Sequence, residues 1–488
     1  MIGAAFSLLL LAPPAAAFGL ASNPPAIRVP HLPSIMMRAA SRQPLRMMAS
    51  ATPAGGGGAN EVLEAEQSRQ VSISVFAVLA AAFLNLLGFT MMLGFTPALG
   101  SHFNLRIGAR FGSLTSAYPV GMLAGVFIWP AVSDRVGRVP VLALSLAGSG
   151  VGLAAQSLAL VCGWPLEAFL GLRVLTGSCA GASPIGKAYL ADMGSCKGKL
   201  PTYLSWRDAA GTMAFIVGPA LSGQIFRVVS LKRTVSTSLA TVIGTAAFGS
   251  LLAAALVALL ATEVDKIVVE AARESTTPAP PVKLIACPLG VSLVAGVVSV
   301  CIVSGLKDFG ASAFDAFFAV LLKQRVGLDT RSISLAYSGL NCLSLSVSTL
   351  MASRCIRLLG PVLACCTGLA LISLGLLGVG ATVATGTGLL DPSAQLAFWA
   401  SVVLYQVGVP LFGPTVPTML LQCVPPNRRG TVMGIDNAIN TVARVIAPLV
   451  LGMLYASAGA GACFKVASIV VACSAIMCAF RRLIVMRS

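Results

Sequence analysis

Charged residues are scarce in this chain, so those placed within long apolar stretches define the chemistry open to it. Only 10% of the 488 residues are Asp, Glu, Lys or Arg, against 57% hydrophobic. The tightest group is Ser133-Asp134-Arg135-Val136-Gly137-Arg138. Asp134 supplies acceptor oxygens, Arg135 and Arg138 supply forked donors, and Gly137 permits a tight turn. The run can therefore trade ion pairs between helix ends. Deeper in apolar sequence stand Arg173, Lys187 and Asp192, then Lys307, Asp308 and Asp315, then Asp436, Asn437, Asn440 and Arg444. Arg173 and Lys187 are 14 residues apart and Asp308 and Asp315 seven, spacings that return a helix to nearly the same face. Leaving water penalises a charged carboxyl, so each of these acids is a candidate to hold and release a proton. The competing reading is mutual salt-bridging that only stitches a bundle together. No nucleophile–base set and no metal cluster stands out, and neither an enzyme nor a cofactor is expected.

The elements that must position these residues are membrane spans. Mean hydropathy is +0.89, above that of a soluble domain, and apolar stretches of about 20 residues recur, the length that crosses a bilayer. Backbone in hydrocarbon must satisfy its own hydrogen bonds, so the spans are expected to be helices. About twelve are counted: 72–97, 112–132, 139–160, 165–192, 207–229 and 236–261, then 292–322, 332–353, 361–383, 394–421, 431–456 and 463–480. Pro410, Pro414 and Pro417 are expected to kink the tenth. The net charge of +17 is spread over short loops and does not suggest nucleic acid. The thirteen cysteines lie mostly inside spans without a CxxC pair, as small buried hydrophobes. Gly181-Ala182-Ser183-Pro184-Ile185-Gly186-Lys187 matches the front of a phosphate-binding loop, but Ala188 replaces the magnesium-binding hydroxyl and no strand precedes it.

The N-terminus reads as an address. Residues 1–17 carry an apolar run and then Pro13-Pro14-Ala15-Ala16-Ala17, like a signal peptide with a small-residue cleavage site. Residues 18–60 contain Arg28, Arg38, Arg42 and Arg46, with no Asp or Glu before Asn60, like a transit peptide. Together, with Phe18 following the alanines, they resemble the bipartite targeting sequence of algae with secondary plastids. A plastid envelope is the expected location, against a disordered tail after an ordinary signal peptide.

The spans form two parallel copies. At a shift of 229 residues, Ala209, Thr212, Ala214, Pro219 and Gly223 meet Ala438, Thr441, Ala443, Pro448 and Gly452. Pro140-Val141-Leu142-Ala143 likewise meets Pro361-Val362-Leu363-Ala364, with Gly137 and Gly360 just upstream. The expected organisation is a six-span half over 72–262, a polar linker over 263–283 and a second half over 284–482. Basic residues concentrate on the loops sharing a side with Asp134, which marks that side as cytosol-like or stroma-like.

On these motifs the chain resembles the major facilitator superfamily, and within it the tetracycline-resistance-like drug:proton antiporters. The resemblance covers roughly residues 72–482. It implies that Asp134, Arg135, Gly137 and Arg138 form a gating loop, with Asp134 facing the span that begins near Gly430. Pro130 and Val139 stand where the family usually has Gly and a further base. Gly218-Pro219 with Gly223 resembles the family's antiporter element, in which small residues let helices approach closely; Pro448 and Gly452 are its copy. The resemblance links Arg173 to proton coupling and places span seven, with Asp308 and Asp315, on a central cavity. Asn85 stands where relatives often have an acid; it cannot titrate, though it can hydrogen-bond a solute.

The reading is a multi-pass, monomeric secondary transporter that moves a small organic solute across a lipid bilayer by alternating access, with proton-coupled antiport. The alternatives are an uncoupled facilitator or symporter, and a non-transporting sensor or scaffold.

Overall fold

Every regular element among the described residues is a helix, as expected for backbone that must pair within its own segment. The computed structural model describes residues 58–196, 200–263, 293–384, 388–423 and 429–486. The signal-peptide reading, the transit-peptide reading up to residue 57, and the linker beyond Glu263 lie outside them. Residues 63–488 form one unit, and the helical bundle lies within it.

The first span runs through Gly58–Thr90, a tight turn at Leu93–Phe95, and Thr96–His102. Spans two and three are Ala109–Val136 and Arg138–Val161; span four is Leu166–Ser178 with Ala182–Cys196; spans five and six are Leu200–Ser230 and Val235–Leu260. The seventh is Leu293–Gln324. The eighth opens with Thr330–Val347, continues through a wider turn at Ser348–Ala352 and ends at Gly360, where the element Ser353–Val383 leaves helical geometry (φ 76°) and span nine begins. Span ten is Pro392–Phe412 with Thr415–Cys423, broken beside Pro414. Arg429–Met486 is one run interrupted at Gly459 (φ 84°), which separates spans eleven and twelve. Among the described residues the result is twelve spans in two sets of six.

Gly137 (φ 115°) and Gly360 (φ 76°) make the same sharp turn between the second and third span of each set. Only glycine takes such angles at low cost.

Span four departs from an unbroken helix for a visible reason. Pro184 has no N–H and cannot continue the hydrogen-bond ladder through Cys179–Gly181. The carbonyls freed there find other donors: Trp129 Nε1 donates to Ser178 O (2.6 Å) and Ser145 Oγ to Cys179 O (2.6 Å). Ser145 Oγ also accepts from Gly181 N (3.1 Å). The expectation that Arg173 and Lys187 share one continuous helical face fails here, because the break lies between them.

The second half has one large apolar core, built on Phe314, Phe317, Phe318, Phe398 and Phe464, and a small separate cluster of Val347, Ala352 and Leu411. The first half has two smaller cores, one near each membrane face. Phe111 of span two joins the second half's core and stacks on Phe317 at 6.1 Å.

Candidate functional site

The named contacts between the halves lie toward the side opposite Asp134. A side chain at Gly112 of span two would strike the Pro448 carbonyl of span eleven, and one at Gly452 the Gly108 carbonyl. One at Gly223 of span five would strike Ser334 of span eight, and one at Gly218 would strike Thr90 of span one. Asn341 Nδ2 donates to Phe215 O (3.0 Å) and Lys323 Nζ to Ser101 Oγ (3.3 Å). Gly223, Pro448 and Gly452 therefore sit where the halves meet, and Gly218-Pro219 where span five meets span one. Below this seal Lys187, Asp208 and Asp315 are solvent-accessible although they stand on span helices. The space between the halves opens toward the Asp134 side.

At that open end the Ser133–Arg138 turn is tied within its own half. Arg138 Nη1 reaches Asp134 Oδ1 at 2.6 Å and Ser133 Oγ at 3.0 Å, while Nε reaches Asp192 Oδ2 at 3.3 Å. Asp192, near the end of span four, thus joins Arg138 of this turn. Arg135 is exposed. The first turn of the helix beginning at Arg429, the expected partner of Asp134, lies outside the residues whose side chains are described. Sequence reasoning missed Glu263 here: its Oε1 accepts from Val139 N (2.7 Å), satisfying a free N–H at the start of span three beside Gly137. Next to it, Thr262 bonds Ser74 of span one, and Tyr189 of span four donates to the Thr262 carbonyl (2.7 Å). The exit of span six thereby clasps spans one, three and four.

The second half carries its ions at mid-membrane. Asp308 is buried, with Oδ1 held by Lys307 Nζ (2.8 Å) and Oδ2 by Arg444 Nη2 (3.0 Å). Lys307 also lies over the Phe412 ring at 5.3 Å, a cation–π contact that further fixes it. Asp315, two turns along span seven, is accessible while its neighbours Phe314 and Ala316 are buried, and it has no ion pair among the described residues. Its electrostatic neighbours are Arg444, Lys307 and Asp308, together with the phenols of Tyr337 and Tyr405. Tyr405 stacks on Phe314 at 4.2 Å, which stacks on Phe318 at 4.1 Å; this column holds the helix face that presents Asp315. Asp436, on span eleven, is buried beside Ser304 and Cys301 and accepts from Asn440 Nδ2 at 3.2 Å.

In the first half the predicted residues do not form one cluster. Asn85 lines a cavity of about 20 Å³, room for one water, together with Ser183 and Arg207. Arg207, absent from the predicted set, is nearly buried and binds Ser183 Oγ (2.6 Å) and Asp208 (3.2 Å). Lys187 stands beside that pair. Arg173 lies apart from them, within electrostatic range of Tyr118. The Trp206-Arg207-Asp208 edge of span five was the available sequence signal for this group.

Two parallel sets of six spans around a central cleft, with ions at mid-membrane and a charged turn at one mouth, define a membrane secondary transporter. A family model described as the Major Facilitator Superfamily matches residues 78–390 and 300–484, and the chain belongs to that family. Solved structures share its fold. The human organic anion transporter MFSD10 (TETRAN) is 19% identical with a TM-score of 0.58, covering 84% of this chain and 99% of its own. A D-xylose–proton symporter is 16% identical with a TM-score of 0.67, covering 83% and 96%. A bacterial homologue of the human lysosomal transporter Spinster, inward-facing and unoccupied, is 15% identical with a TM-score of 0.61, covering 84% and 95%.

Proposed function

We propose that this protein is a monomeric proton-coupled antiporter of a small organic solute, with Asp315 as the group that loads and releases the proton. The observation that carries this is the contrast between two acids on one helix. Asp308 is buried and committed to Lys307 and Arg444, whereas Asp315 faces the open cleft without an ion pair among the described residues. A coupling carboxyl must meet water and solute in turn, and an acid clamped between two cations cannot do so without breaking the clamp.

In this reading the halves, 72–262 and 284–482 joined by 263–283, rock about the cleft. The seal of Gly112, Pro448, Gly223 and Gly452 opens as the mouth at Asp134 closes. Residues 1–60 would direct the protein to a plastid envelope.

The experiment is flux into proteoliposomes across a broad solute panel, with and without an imposed pH gradient. Gradient-driven accumulation is expected for the native protein and is expected to vanish in Asp315→Asn, with solute exchange retained. The thermal midpoint should stay within about 2 °C of native, since no ion pair is lost. Flux indifferent to the gradient in the native protein would leave a facilitator. No flux for any solute would leave a sensor or scaffold.

A further inference from the structure

We infer that Arg173, with Tyr118, Phe89 and Phe215, forms the solute subsite of the first half, and that it takes the carboxylate of an aromatic acid. This rests on the transport reading above and adds the substrate class.

The four residues come from four different spans and converge. Gly177 and Gly121 let spans two and four approach closely, since a side chain at either would strike the facing backbone at Tyr118 or Val174. That approach brings the Arg173 guanidinium within electrostatic range of the Tyr118 phenol. The Phe89 ring of span one lies 5.9 Å from Tyr118 of span two and 6.5 Å from Phe215 of span five. The Phe89 ring of span one thus lies between rings of spans two and five, and it is 45% exposed. The subsite sits just under the seal. Arg173 is about 11 Å and Tyr118 about 14 Å along its helix from the sealed end, at 1.5 Å per residue.

The charge at this point is uncompensated. Among the described residues no carboxylate lies within ion-pair distance of Arg173, and its Nε has no hydrogen-bond partner. Thr115 Oγ1, one turn from Tyr118 on the same helix, also lacks a partner. A cation at membrane depth is costly and is normally paired. Lys307, Arg444 and Arg207, also on span helices, all have acids. Arg173 cannot be a proton carrier itself, because a guanidinium keeps its proton in proteins. What it offers is a forked donor set matched to a carboxylate. The adjoining Phe89, Tyr118 and Phe215 rings offer edges and faces to a flat apolar body. A neutral solute of the same shape would leave the cation unpaired.

The test is binding to the purified full-length protein without any gradient, read by thermal shift and titration, with 2-naphthoate and its neutral isostere 2-naphthamide. Saturable stabilisation by the acid and little by the amide is expected. Arg173→Gln should weaken 2-naphthoate binding by about tenfold or more, the loss of a charge-assisted fork. Arg173→Lys, which keeps the charge without the fork, should fall between. Phe89→Ala, at an exposed ring whose removal leaves the core intact, should weaken the acid several-fold and keep the acid-over-amide preference. Equal binding of acid and amide to the native protein would overturn the proposal. So would Arg173→Gln binding the acid as tightly as native. If Arg173→Gln does not fold, the native acid–amide comparison and Phe89→Ala still decide. Because no gradient is involved, the transport reading can fail while this subsite stands. Conversely, proton-driven flux of other solutes with no naphthoate binding would sink the subsite alone.

Discussion

In the first half the ion network lies at the mouth of the cleft, with Arg138 held by Asp134 and Asp192; in the second it lies at mid-membrane, with Asp308 held by Lys307 and Arg444. The turns at Gly137 and Gly360 are copies in geometry, but only the first carries an acid, and among the described residues only the first is braced by a carboxylate, that of Glu263 at the end of span six. A repeat thus supplies one scaffold twice, and the two copies have placed the carboxylate or arginine that joins two ion pairs at different depths. Water reaches the mouth, so ion pairs there can exchange partners at small cost. The mid-membrane pairs cannot exchange without stranding a charge. The arrangement suits a latch at the mouth and a fixed polar centre within.

The sharpest way to break the comparison is to remove one acid from each network. Asp308→Ala leaves the nearly buried Lys307 ammonium without its carboxylate, while the half-exposed Arg444 can turn to water, and the expected loss is about 3 kcal/mol, with a clear drop in thermal midpoint. Asp308→Ala with Lys307→Met should recover part of that loss, because one stranded charge goes with it. A single variant as stable as native would show that water already reaches this cluster, and the contrast in depth would collapse.

The second expected effect concerns the turns. Both glycines adopt angles that other residues take at a cost of about 1–3 kcal/mol. Gly360→Ala should lose only that, since nothing lies near the added carbon. Gly137→Ala should lose more, because the added carbon meets the Glu263 carboxylate that caps span three. Melting of the two variants side by side checks this; equal losses would mean the Glu263 brace contributes nothing measurable.

Much of this architecture was open to a reader of the residues, for reasons of length and punctuation. Hydrocarbon fixes the span length, Gly137, Gly360 and the Pro-rich breaks mark the turns, and the internal repeat pairs the turns across 223 residues. The pairings inside the membrane were less open. Asp308 and Arg444 stand 136 residues apart, and spacing along one helix says nothing of which span faces it. The reading of Arg173 and Lys187 as one face relied on an unbroken helix, which Pro184 and the serine and tryptophan donors around Cys179 interrupt. Phe89, Tyr118 and Phe215 carried no signal at all, because an aromatic residue in an apolar span looks the same facing a core, lipid or a cleft.

A smaller effect separates latch from ornament. Arg138→Ala removes two partly exposed ion pairs, each worth about 0–1 kcal/mol, so stability should change by less than about 2 kcal/mol. Transport should nevertheless slow, since the mouth loses the contacts that define one end state. Arg357→Ala, at an exposed base near the second turn, is expected to leave flux unchanged. Equal slowing by both variants would show that loop charge as such matters, through the membrane surface rather than through the latch.

The smallest effect lies on the sealed side, where the halves also begin their second spans differently. Span two starts at Gly108 without a side-chain cap, beneath the close approach of Gly452. Span eight starts at Asp329, whose Oδ1 accepts from Ser332 N at 3.2 Å. Hydrogen bonds from the Ser332 hydroxyl and N–H hold this exposed carboxyl below its ordinary range. A carboxyl whose folded value is depressed stabilises the fold above its unfolded value and loses that contribution as pH falls through the folded one. Asp329→Ala should therefore cost about 0.5–1 kcal/mol at neutral pH. The gap between native and variant melting temperatures should narrow as pH drops below about 4. A gap that persists unchanged at pH 3 would mean the cap acts through its shape and not its charge, and this end of the second half would then be no more sensitive to acid than its uncapped counterpart in the first.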